Sequence, residues 1–82
     1  MKEALQTALE ALTQICKTEL ENYADEIAAC ERGKFYDDVK QYESELTAYL
    51  RALEHAGVIT EIQRLAVRKY VLNMAKEKAK EI

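Results

Sequence analysis

Cys16, Cys30 and the single histidine, His55, are the side chains in this 82-residue chain that could lead nucleophilic chemistry. A cysteine attacking with histidine as its base also needs an orienting group and an oxyanion site. No pattern in the sequence supplies either. Two cysteines without a Cys-x-x-Cys pair or a second histidine do not make a structural zinc site. No Glu-x-x-His pair is present for a di-iron bundle. With only two glycines, Gly33 and Gly57, there is no phosphate-cradling loop. No enzyme, metal or cofactor is expected, and His55 reads as a cation near a helix C-terminus.

The two cysteines sit on what reads as one continuous helix. Their 14-residue separation there is about 21 Å, beyond disulfide reach. They read as reduced thiols acting as small hydrophobes; a disulfide to another chain is the alternative.

Other side chains point to binding. There are five tyrosines against one phenylalanine and no tryptophan. Tyr36, Tyr42 or Tyr70 could anchor an interface, where tyrosine is enriched among dominant residues. Core-edge placement is the other reading, with each hydroxyl reaching water. Charge is uneven: residues 1–60 hold six basic and twelve acidic side chains, a net of −6, and residues 61–82 hold six and three, a net of +3. The acidic part is densest between Glu19 and Glu45. It reads either as a solvated face or as a surface that docks on a basic groove or mimics nucleic acid. Lys76, Lys78 and Lys80 alternate with Glu77 and Glu81, too mixed in sign for direct nucleic-acid binding.

The elements that must position these groups follow from apolar spacing. Phe35, Val39, Tyr42, Leu46, Tyr49, Leu53 and Ala56 recur at intervals of four and three, one face of a helix. Three helices are expected, in an up-down-up arrangement. The first runs from Lys2 to Arg32, with Leu5, Leu9, Leu12, Cys16, Leu20, Tyr23, Ile27 and Cys30 on one face. A flanking strip of Ala4, Ala8, Ala11 and Ile15 widens that arc. Gly33 would close this helix as a left-handed residue. The second spans Lys34 to Ala56, with Asp37 or Asp38 as its cap or a start directly after Gly33. The third begins at Thr60, where Thr60-Glu61-Ile62-Gln63 matches a capping box.

Two features strain that picture. A first helix of roughly 30 residues would be about 45 Å long, against about 33 Å for the others. The third is apolar on too many sides: the run LAVRKYVLNMA, Leu65 to Ala75, has eight apolar residues in eleven. Ile62, Ala66, Val67, Tyr70 and Met74 form one face, continued by Val71 and Ala75; Leu65, Leu72 and Ala79 point the other way. Such a helix has more than one neighbour: the first helix, a copy of the protein, or a different protein.

The segment AYLRALEHAGVITEIQRL, Ala48 to Leu65, resembles helical hairpins of small phage and mobile-element proteins. The likeness rests on generic capping residues; it implies a helical hairpin and brings no functional residue with it.

The expectation is a single all-α domain over residues 1–82, a three-helix antiparallel bundle that self-associates. With no apolar leader and no run of about 20 apolar residues, it is expected to be cytoplasmic and off the membrane. The expected role is non-enzymatic protein binding, as an inhibitor or adaptor of the phage or mobile-element kind. The alternatives are a structural homo-oligomer and an acidic nucleic-acid mimic. Candidate partner-binding residues are Tyr36, Asp37, Asp38 and Glu43 on the acidic hairpin, and Arg68, Val71, Leu72 and Ala75 on the third helix.

Overall fold

A computed structural model of the chain describes residues 2–81, and these form four helices, one more than the spacing predicts. They are α1 (Lys2–Ala11), α2 (Gln14–Arg32), α3 (Tyr36–His55) and α4 (Glu61–Lys80). The expected long first helix is broken at Leu12–Thr13. Thr13 adopts an extended conformation (φ −71, ψ 163) and caps α2, its hydroxyl accepting a 3.2 Å hydrogen bond from the Cys16 amide. No glycine or proline marks this break. Its physical reason is α4, which is apolar around most of its circumference and needs more cover than two neighbours supply. The break lets α1 turn back onto α4, so α4 packs against α1, α2 and α3 together.

Small residues make that packing close. Ala8 on α1, Ala24 and Ala28 on α2, and Ala66 and Ala75 on α4 are all buried. Small side chains at a crossing let helix axes approach towards the near end of the usual ~8–10 Å range. The centre is filled by Leu20, Ile27, Leu46, Leu50, Val67 and Val71. Burying each of the larger ones contributes about 1.5–3 kcal/mol. Among the described residues no polar or charged side chain is buried, so polar interactions act at the edges. Gln63 Nε2 donates to Thr7 Oγ1 at 3.0 Å, fastening α1 to the start of α4. Arg64 pairs with Glu54 across the α3–α4 hairpin, and Lys78 with Asp25 at 3.0 Å.

Several expectations hold and several are corrected. Thr60 and Gln63 form the capping box reciprocally, with bonds of 3.2 and 2.8 Å. Gly57 has φ +80 and closes α3. Gly33 is not left-handed: its φ is −83, and the positive φ falls on Lys34 at 61°. Neither Asp37 nor Asp38 caps α3, because Phe35 holds the cap position and both carboxylates lie in the first turn. The α3 seam is covered from Val39 to Leu53, but its ends, Phe35 and Ala56, are exposed. Ile15, placed with the apolar strip by spacing, is 79% exposed because the break rotates it outwards. No helix among the described residues is long and apolar enough to cross a membrane.

Candidate functional site

The α2–α3 turn brings unusual residues together in a small space. The Lys34 amide donates to the Glu31 carbonyl at 3.1 Å, and the Phe35 amide to the Cys30 carbonyl at 2.9 Å. This pair of bonds is a Schellman closure, whose left-handed position is normally glycine. Here Lys34 occupies it at φ 61, a conformation costing a non-glycine residue about 1 kcal/mol. The glycine stands one position earlier for a different reason. A Cβ on Gly33 would lie 2.5 and 2.6 Å from two ring carbons of Phe35. Gly33 is therefore the seat on which the Phe35 ring rests.

That arrangement holds two adjacent aromatic side chains in solvent. Phe35 is 62% exposed and Tyr36 60%. Asp37 and Asp38 follow at once, both exposed in the first turn of α3, where the helix dipole favours negative charge. Arg32 is drawn away, donating to the Lys78 carbonyl at 2.9 Å. The result is an aromatic tip flanked by Lys34 before it and by the carboxylates of Asp37 and Asp38 after it.

The eight residues singled out by sequence separate into three places. Tyr36, Asp37 and Asp38 meet at the tip. Glu43 and Arg68 line a shallow polar groove between α3 and α4, in which Arg68 Nε donates to Thr47 Oγ1 at 3.0 Å. Val71 and Ala75 lie in the chain's own core at 0% and 1% exposure, and Leu72 is half-buried. Of the third-helix face expected for a partner, Val71 and Ala75 are covered from within by the packing of α1, α2 and α3, while Ile62, Leu65 and Tyr70 of the same helix stay exposed.

Sequence reasoning missed two features. Phe35 was legible as apolar but assigned to the seam, whereas the seam starts four residues later at Val39. A half-enclosed cavity of about 160 Å³ also lies where α1, α2 and α4 meet, lined by Leu9, Lys17, Leu20, Glu21, Tyr70 and Met74. It exists because of the break at Thr13, so no periodicity announces it.

The cysteines occupy contrasting settings along α2. At its start, the hydroxyls of Thr13 and Tyr49 face the Cys16 sulfur and hold its pKa below the ordinary thiol value. Burial, with the Cys16 sulfur as partner, pushes Tyr49 up to about 12. Near its other end, burial and the carboxylates of Asp38 and Glu26 push Cys30 upwards. Both thiols are free. Between them Tyr23 and Tyr49 stand 6.0 Å apart, tilted by 46°. His55 lies exposed in the last turn of α3. Among the described residues no three histidine, cysteine or acidic side chains converge as metal ligands. The groups gathered at the tip, an aromatic pair and carboxylates, are suited to docking.

These features define a small all-α protein with an exposed aromatic tip. Compared with protein-family models, with curated proteins and with solved structures, the chain finds no match.

Proposed function

We propose that this chain is a protein–protein interaction module whose docking element is the α2–α3 tip. The observation that carries the reading is the pair Phe35 and Tyr36, each about three-fifths exposed and held there by a strained Lys34 and a glycine seat. Fully burying either ring against a partner contributes about 1.5–3 kcal/mol. Aromatic anchors of this kind dominate interface energetics. Holding them in one geometry beforehand lowers the ordering cost of binding. Asp37 and Asp38 favour a partner whose receiving pocket carries a basic rim, and they raise the encounter rate with it. Such a module acts as an inhibitor or adaptor by occupying a surface, with no bond made or broken.

The test compares wild type with Phe35→Ser/Tyr36→Ser, each immobilised and exposed to extract of the native host. Capture of a defined protein by wild type and its loss in the double variant supports the reading. The same proteins retained by both would overturn it.

A further inference from the structure

The tip has a counterpart at the far end of α2. The cavity beneath α1 has apolar walls of Leu9, Leu20, Tyr70 and Met74 and measures about 160 Å³. An apolar cavity of ~150 Å³ takes one benzene ring, so a single phenyl group matches this space. The Met74 thioether suits the edge of such a ring. Lys17 stands at this mouth, and the adjoining grooves along α1 add Lys2 and Lys69. Glu21 and Glu10 share the same rims, leaving three lysines against two glutamates in a chain of net charge −3. The rim carries a net of +1, and the tip, with Lys34, Asp37 and Asp38, a net of −1.

From this fit we infer that the α1–α2–α4 cavity receives Phe35 of a second copy of this chain, whose Asp37 and Asp38 then lie against Lys2, Lys17 and Lys69. The inference rests on the tip being the docking element and names its partner. Phe35 needs no hydrogen-bond acceptor and suits the apolar floor, while the Tyr36 hydroxyl stays at the wet rim. A chain cannot fill its own cavity. Leu20 and Phe35 are fifteen residues apart along α2 and the turn that ends it, about 22 Å. Tip and cavity are different surfaces, so the contact is head-to-tail and adds copies in sequence. One ring and a charged collar make a small interface, at the weak and transient end of the range.

The experiment uses the full chain in three forms: wild type, Phe35→Ser with its cavity intact, and Leu9→Phe, which fills the cavity and leaves the tip intact. In sedimentation up to about 1 mM, where even millimolar affinity registers, wild type should grow with concentration. Each variant alone should stay monomeric, and their equimolar mixture should stop at a dimer. In the mixture, isotope-labelled Phe35→Ser should show shifts at Leu20, Tyr70 and Met74. Lys17→Glu in place of Leu9→Phe tests the collar without altering the cavity floor. It should weaken wild-type growth about tenfold through like-charge opposition to Asp37 and Asp38. A wild type that stays monomeric, or variants that each associate like wild type, would overturn the inference. If wild type is monomeric yet captures a different protein through Phe35 and Tyr36, only the identity of the partner falls. If the serine pair captures what wild type captures, the tip itself is not the docking element.

Discussion

The two turns that flank α3 share one hydrogen-bond scheme and treat their side chains in opposite ways. After α2, the Phe35 amide reaches Cys30 and the Lys34 amide reaches Glu31; after α3, Val58 reaches Leu53 and Gly57 reaches Glu54. At the second turn most local choices agree with stability, although Val58, in the position of Phe35, is 40% exposed. Gly57 takes the left-handed position, Ile59 is buried, and Thr60 with Gln63 caps the next helix. At the first, the glycine stands one residue early and a lysine carries the positive φ. Phe35 caps without a side-chain bond, and two aromatics stay in solvent. Local strain of this sort persists at functional sites because the surrounding structure holds it. The proposed docking role of the first turn would account for a chain that builds one turn well and its neighbour at a cost.

The comparison can be broken by substitution. The largest effect is expected at Ile59, which is buried. Ile59→Ala should lower unfolding free energy by about 2–4 kcal/mol in urea titration, while Phe35→Ala at the other turn should change it by no more than about 0.5 kcal/mol. Equal losses would erase the contrast. Next comes Gly57→Ala, whose new Cβ meets nothing within 4 Å, so backbone strain alone sets the outcome. A loss of about 1–1.5 kcal/mol is expected. Thr60→Ala should cost about 1 kcal/mol through the lost cap. The smallest effect has the opposite sign: Lys34→Gly should raise stability by about 0.5–1 kcal/mol. A destabilised Lys34→Gly protein would show that the lysine is not strained.

The same contrast explains what the sequence made legible. Gly57, Thr60 and Gln63 each mark the α3–α4 turn with ordinary chemistry, and the buried part of the α3 seam follows its spacing. The excess apolarity of α4 was also readable, and it called for more than one neighbour. Which neighbour answers was not readable. Thr13 is the only cap signal at the α1–α2 break, and its third following residue is Cys16, not the glutamate or glutamine of a capping box. Leu5, Leu9, Leu12 and Cys16 keep helical spacing straight through it. Beyond Thr13, local patterning does not record the break, which brings α1 onto α4. Val71 and Ala75 were consequently read as surface, and the cavity lined by Leu9 and Met74 was invisible. At the tip, Tyr36, Asp37 and Asp38 were legible as binding candidates, and the structure brings the three together there. The Phe35 ring resting on Gly33 beside them is a contact that no local pattern announces.

Whether the tip serves association and not folding is tested most directly by urea unfolding and sedimentation of one protein, Phe35→Ser/Tyr36→Ser. The expected result is stability within about 0.5 kcal/mol of wild type together with complete loss of concentration-dependent growth. A drop of about 2 kcal/mol or more, the size of a lost core contact, with sedimentation unchanged from wild type, would contradict it.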